Sequence, residues 1–433
     1  MTTALAQRSA EAVPPRESVL RRFGQMRRTS PGRLQLTLVL LLVLAALTGV
    51  VTGLTASSAA AGTADLRDRA QPLLIEAETV YSALADADTI AAQAFLAGGL
   101  EPAGLTEKYE AALTRATSAL TAAAARTPAG SEAAEAVKTL ATGTTRYAAM
   151  VATARAVNRQ GLPVGASYLA TASELNRETL QPQARTLLRF AEREVGGGYE
   201  DARSSWWLLL FLVLLLVLVI ALIRTQFLLS RTTQRTFNVA LVAATALTAV
   251  LVIGSWVVFS EQRSRLGAAE EEGSAPIAAL ADIRILVQRE RADEALTLAA
   301  RAGSGPHEQD FQAARKLLTF DDPALDDLGP LMAQARDQHD RFVALHTQVR
   351  ELDDNGDYDG AVRLAVGADT ASAFQVLTTT VDDAMTDRKA VFESNIEDAG
   401  RGLTLLAVLG PLLALAIAAL AAIGLRARLE EYR

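Results

Sequence analysis

Three histidines, one tight run of aspartates and a few acid pairs are the side chains of this 433-residue chain whose types and spacing could do chemistry. His339 and His346 stand seven apart and can share a helix face, whereas zinc ligands on one helix favour spacings of three or four. Together with His307 they are expected to face solvent. The run Asp353-Asp354-Asn355-Gly356-Asp357-Tyr358-Asp359-Gly360 invites a calcium reading. An EF-hand loop starting at Asp353 needs glycine sixth and an acid twelfth, and Tyr358 and Leu364 stand there instead. The run therefore reads as an acidic turn between helices, with weak cation binding as the alternative. Asp86 and Asp88 are two apart and point to different faces of a helix, which argues against paired acid–base work. Glu270-Glu271-Glu272 reads as a solvated helix face. There is no cysteine, which excludes disulfides, thiolate nucleophiles and cysteine-ligated metals. No phosphate-binding glycine loop, Ser–His–Asp ordering or nucleic-acid signature is present. The chain is expected to be no enzyme, with no catalytic residue, cofactor, metal site or nucleic-acid partner.

Half the residues are apolar and only 5% aromatic, which favours helix over strand. Four uncharged apolar stretches, Leu34–Leu54, Trp206–Ile223, Val239–Phe259 and Leu403–Leu425, reach the roughly 20 residues a bilayer requires. Trp206, Trp207 and Trp256 lie at or near span ends, where indole rings favour the interface. The first stretch exceeds the roughly 7–15 residues of a signal-peptide core, so it is expected to stay as an anchor.

Arginine counts orient the spans. Residues 1–33 carry seven arginines and two glutamates. Loop 224–237 has Arg224, Arg231 and Arg235 and no acid, and tail 426–433 has three arginines and two glutamates. Segment 55–205 holds 14 basic and 17 acidic residues, and segment 260–402 holds 15 and 28. By the positive-inside rule both termini and the short loop are cytoplasmic and both large segments extracytoplasmic. The expected order is a basic cytoplasmic segment (1–33), span 34–54, bundle 55–205, span 206–223, cytoplasmic loop 224–237, span 238–259, bundle 260–402, span 403–425 and tail 426–433. This is an all-α cell-membrane protein with two extracytoplasmic four-helix bundles in tandem.

Apolar stripes stepping by three and four define the bundle helices. In the first segment they are Leu73, Ala77, Val80, Leu84, Ala87, Ala91, Ala94, and Val137, Leu140, Thr144, Tyr147, Val151, Ala154. In the second they are Leu328, Leu331, Ala335, Gln338, Phe342, Leu345, Val349, Leu352, and Leu364, Gly367, Ala371, Phe374, Thr378, Val381, Met385, Arg388, Phe392. Breakers fall at matching places: Gly98-Gly99, Thr127-Pro128 and Gly161 to Gly165, then Gly303 to Pro306, Asp321 to Pro323 and Gly356 to Gly360. A period of roughly 200 residues suggests a tandem duplication of span, bundle and span. Gly196-Gly197-Gly198 reads as a flexible joint. The loops after the first and third bundle helices form the tips, so Gly98, Gly99, Asp353, Asp354, Asp357 and Asp359 are the expected partner-docking residues.

The cytoplasmic pieces are too short to hold a kinase or cyclase domain. An inward signal must be read by another protein, with Arg21, Arg22, Arg27, Arg28, Arg224, Arg231 and Arg235 as the expected relay; equally, these arginines can simply fix topology and bind anionic lipid. Span-flanked helical bundles resemble the sensor modules of bacterial chemoreceptors and histidine kinases, whose output domains are missing here. A closer resemblance rests on Leu84-Ala85-Asp86-Ala87-Asp88-Thr89, Ala94-Phe95-Leu96-Ala97-Gly98-Gly99-Leu100-Glu101-Pro102, Tyr109 and Gly165-Ala166-Ser167-Tyr168-Leu169. With the twin-bundle plan, these make the chain similar to the four-span membrane protein of the actinobacterial glutamine-binding lipoprotein and protein kinase G signalling system. That resemblance implies relay of amino-acid availability from an extracellular solute-binding lipoprotein to a cytoplasmic serine/threonine kinase. It carries over no catalytic residue. An envelope scaffold and an accessory subunit of an amino-acid transporter are the competing readings, and a homo-oligomer is compatible with all three.

Overall fold

The computed structural model describes residues 30–98, 102–203, 206–233, 238–301 and 305–430. These are helical almost throughout, without a strand among them: α1 (Ser30–Asp65), α2 (Gln71–Leu96), α3 (Ala103–Arg126), α4 (Glu132–Arg159), α5 (Val164–Leu175), α6 (Gln181–Arg203), α7 (Trp206–Thr233), α8 (Val239–Ala269), α9 (Ala275–Ala300), α10 (Pro306–Leu317), α11 (Gly329–Asp354), α12 (Tyr358–Ala365) and α13 (Ala368–Glu430).

The helices sort into two compact units. The first gathers the described parts of Met1–Ser57, Ser205–Val258 and Leu403–Arg433. Its helices α1, α7, α8 and α13 contain the four stretches long and apolar enough to cross a membrane, which makes this a multi-pass membrane protein. Leucines, valines and isoleucines such as Leu40, Leu209, Ile253 and Leu415 stay exposed on their outer faces, as lipid-facing side chains do. Small residues let the spans approach: a Cβ on Gly49 would lie 2.8 Å from the Ala414 Cβ, and one on Gly53 3.2 Å from the Pro411 ring. Asn238 Nδ2 donates to the Gly424 carbonyl at 2.7 Å, and Gln226 Nε2 donates to Thr245 Oγ1 at 2.6 Å.

The second unit gathers both large segments, Ser58–Ser204 and Phe259–Gly402. They join along α2 and α9, which run alongside each other in the same direction: Arg284 and Gln288 meet Asp86, and Leu298 and Leu96 share one apolar cluster further along. Both helices are therefore covered on nearly every side, and Val80–Thr89 and Glu290–Leu298 are buried without interruption.

Three single π turns interrupt the long helices, at Leu66–Ala70, Asn176–Leu180 and Glu270–Ser274. Each stands two residues before a proline, Pro72, Pro182 or Pro276. Proline donates no N–H and its ring crowds the carbonyl four residues back. Widening the turn, with Gln71 N bonded to Leu66 O, Gln181 N to Asn176 O and Ala275 N to Glu270 O, relieves that crowding without ending the helix.

The stripes expected in the first segment are buried, apart from a half-buried Val137. In the second segment the stripe on α11 is Met332, Ala335, His339, Phe342, His346 and Val349, one residue later than expected at Leu331, Gln338 and Leu345. Leu328, Ala335, Phe342 and Val349 are buried as expected, so only the alternate positions of the stripe differ. On α13 the buried positions Thr370, Ala373 and Leu377 lie one residue earlier than the expected Ala371, Phe374 and Thr378. Gly196-Gly197-Gly198 is no joint: all three lie inside α6, and a Cβ on Gly198 would meet Leu66 Cδ2 at 2.5 Å.

Candidate functional site

The α2–α9 seam concentrates polar side chains that are buried and paired across the two segments. Asp86 accepts from Arg284 at 2.9 Å, from Gln288 Nε2 at 2.9 Å and from Arg115 at 3.1 Å. Thr89 Oγ1 donates to the Gln288 carbonyl at 2.8 Å. Asp88 turns to a different set, accepting from Ser173 Oγ at 2.7 Å and from the Tyr147 hydroxyl at 3.3 Å. The two aspartates thus face different neighbours, as their spacing requires. Burial raises both carboxyls above the ordinary range, against the pull of Arg284 and Arg115 on Asp86 and of Arg177 on Asp88.

Asp293 on α9 pairs with Arg177, which also reaches Asp310 at 3.1 Å. Burial raises Asp293 to about 7 despite Arg177, with Asp310 adding to the rise. Ligand atoms of Asp293, His307 and Asp310 lie within 4.8 Å of one another, a spacing that could hold a cation. Arg177 already balances both carboxylates there, and burial together with Arg177 lowers the His307 pKa.

His339 and His346 are not solvent-facing. His339 Nε2 lies 2.8 Å from Glu290 Oε2. His346 lies 3.3 Å from Glu294 and 3.2 Å from Glu308, with the Phe311 ring stacked on it at 3.7 Å between centroids. Glu290 and Glu294 are one turn apart on α9, and the histidines stand two turns apart on the buried stripe of α11 with Phe342 between them, so the two helices pair acid with imidazole twice. Residue type alone hid this pairing. The usable signal was a helix, α9, with acids on faces that its apolar neighbours also bury.

The segment tips form a second cleft, of about 800 Å³, that brings Gly98 together with Asp359, Arg301 and Arg363. Gly98 has φ +85°, a left-handed conformation that glycine adopts freely. The Arg301 guanidinium sits 4.3 Å over the Tyr358 ring, and the Tyr358 hydroxyl donates to Leu298 O at 3.0 Å. The other acidic-tip residues are used internally: Arg350 bonds Asp353 and Asp354, each at 2.7 Å, and Asp357 caps α12 through Gly360 N at 2.9 Å. Gly99 lies outside the described residues. Of the expected relay arginines, Arg224 is exposed on α7 and lines a groove beside Leu41 and Leu44 of α1. Arg21, Arg22, Arg27, Arg28 and Arg235, and the side chain of Arg231, fall outside the described set.

A family model for an actinobacterial sensor domain matches residues 62–200, from the end of α1 to the last turns of α6. Neither the curated proteins nor the solved structures contain a match to this chain. The matched region is the first large segment, including Asp86, Asp88, the π turn at Asn176–Leu180 and Arg177. Similarity to that domain supports a sensor-type actinobacterial protein, built on four membrane-crossing helices.

Proposed function

We propose that the chain is a non-enzymatic transmembrane signal transducer whose two large segments are extracytoplasmic. The match of the first segment to an actinobacterial sensor domain carries this reading. The second segment repeats the π turn and following proline of the first (Leu66–Ala70 with Pro72, Glu270–Ser274 with Pro276), which supports a tandem duplication. Helices α1, α8 and α13 each contribute residues to both units, so a change in bundle packing has covalent routes toward the spans. A ligand or docked protein shifts such an equilibrium only by its differential affinity for the two states.

In the finer reading, the signal is amino-acid availability, delivered by a solute-binding lipoprotein and read inside by a serine/threonine kinase. The cleft containing Gly98 and Asp359 is the proposed docking surface, and the cytoplasmic arginines, Arg224 among them, the proposed relay. Affinity capture of the tagged full-length chain from native membranes, with mass spectrometry of what accompanies it, tests this. Recovery of a solute-binding lipoprotein and a kinase is expected. Recovery of permease subunits alone, or of neither partner, would overturn it.

A further inference from the structure

The spans close tightly against one another at three borders. Gly49 and Gly53 of α1 take Ala414 and Pro411 of α13, and Asn238, just before α8, donates to the Gly424 carbonyl of α13. Gln226 of α7 donates to Leu241 O at 3.1 Å and to Thr245 Oγ1 on α8. Between α7 and α1 there is a groove instead, of about 300 Å³. Its floor is buried (Leu41, Leu44 and Thr225 are 1%, 8% and 5% exposed), whereas Leu40, Val217 and Ile220 on its walls stay exposed. It follows α1 from Leu44 to Thr37 and α7 from Val217 to Arg224, about 10 Å of helix in each case. One leaflet of bilayer hydrocarbon is about 15 Å deep, half of the full core. The groove therefore runs along the acyl chains of a single leaflet, where an apolar wall meets hydrocarbon and not water or an irregular loop.

One end of the groove is charged. Arg224 lines it where the α7 span gives way to the short loop, and it forms no ion pair among the described residues. Arg33 stands one turn before Thr37 on α1, which puts a second guanidinium at the same end. Neither residues 30–54 nor residues 206–237 contain an aspartate or a glutamate. Glu430 and Glu431, past the last span, stand among Arg426, Arg428 and Arg433. The anion for Arg224 must then come from the membrane itself. A phosphodiester headgroup fits, since a guanidinium grips phosphate oxygens with two parallel bonds and its long stem reaches from apolar surface to headgroup level.

We propose that the α1–α7 groove seats one anionic phospholipid, with an acyl chain along Leu41, Leu44 and Val217 and the phosphate at Arg224. The lipid completes the fourth border of the span unit and holds α1 against α7. Diffuse attraction of arginines to an anionic surface would need no groove, and this separates the two cases. The inference rests on the four membrane-crossing helices. It is independent of which side the large segments emerge on and of the amino-acid reading.

The test is native mass spectrometry of the purified full-length chain, released from micelles holding equal amounts of phosphatidylglycerol and phosphatidylcholine with the same acyl chains. The wild-type chain should retain one phosphatidylglycerol with a preference of about fivefold or more, the effect of one arginine near an anionic surface. Arg224→Gln should bring that preference close to parity. Val217→Trp, which fills the groove from an exposed wall, should remove the retained lipid. Leu40→Trp does the same from the opposite wall, so the groove is judged on whichever variant melts at the wild-type temperature. Ile253→Trp, at an exposed position on α8 outside the groove, should leave retention unchanged. Glycerol 3-phosphate, a headgroup without chains, should not displace the lipid. Equal retention of both lipids by the wild type, an undiminished preference in Arg224→Gln or retention that survives groove filling would overturn the proposal. So would equal loss in Ile253→Trp or displacement by glycerol 3-phosphate.

Discussion

His346 sits between Glu294 and Glu308, under the Phe311 ring, with Arg350 on the far side of Glu308. Burial by itself would lower an imidazole pKa, but the two carboxylates outweigh it and raise His346 to about 9. A folded pKa above the unfolded 6.5 means stabilisation that is complete below pH 6.5 and lost as pH rises through about 9. For so buried a group this is on the order of 3 kcal/mol. Asp293 has the same sign over a lower window, from its ordinary 3.8 to about 7, because burial favours the protonated form. The apparent melting temperature of the full chain should therefore fall as pH is raised from 6.5 toward 9, and His346→Gln should flatten that alkaline decline while leaving the part below pH 7. A wild-type melting curve that stays level or rises across the alkaline window would contradict the assignment. Little of this was legible beforehand, because a histidine in a sequence carries no mark of its partner. A phase error of one residue put Gln338 and Leu345 where His339 and His346 belong.

At the level of elements, helix ends were legible because glycine and proline mark them: α2 stops before Gly98-Gly99, α3 before Thr127-Pro128, and α4 before Gly161. The joining of the two segments through α2 and α9 was not, since Asp86, Arg284, Gln288 and Glu290 resemble a solvated face until their partners are known. The π turns were also missed, although Pro72, Pro182 and Pro276 inside long helical runs were a usable signal. The π turn at Glu270–Ser274 places Gly273 hard against α13, where a Cβ would lie 2.8 Å from Phe392 Cβ and 3.0 Å from its Cα. Phe392 is fully buried and cannot yield easily. Gly273→Ala should thus destabilise the chain by about 1–3 kcal/mol through overpacking. Gly267, three residues before that turn in α8, has nothing within 4 Å of its would-be Cβ. Gly267→Ala should stabilise by roughly 0.5–1 kcal/mol, because alanine gives up less backbone freedom in a helix. The two variants compared by thermal unfolding should move in opposite directions; a shared direction would mean that Phe392 relaxes or that the π turn does not hold Gly273 in place.

For the whole molecule, the decisive physical quantity is the asymmetry of charge about the four spans. The three short pieces outside the spans carry 13 basic and 4 acidic residues, while the two large segments together carry 29 and 45. Basic residues flanking a span resist translocation, so each short piece independently favours the cytoplasm, and four crossings let all three agree. That agreement also requires both large segments to emerge on one side, which their packing as one unit demands in any case. The chain has no native cysteine, so single-cysteine variants report position without background. Ser118 on α3 and Ser372 on α13 are exposed, one in each large segment, and Ser230 lies near the end of α7 in the short arginine-bearing stretch between the second and third spans. In intact cells an impermeant maleimide should label Ser118→Cys and Ser372→Cys but spare Ser230→Cys until the membrane is opened. Labelling of Ser230→Cys alone would invert the molecule, placing its sensor-like segment in the cytoplasm and its arginines outside. Labelling of only one of the two large segments would require an odd number of crossings between them, and one of α7 and α8 would then have to lie outside the bilayer despite its apolar length.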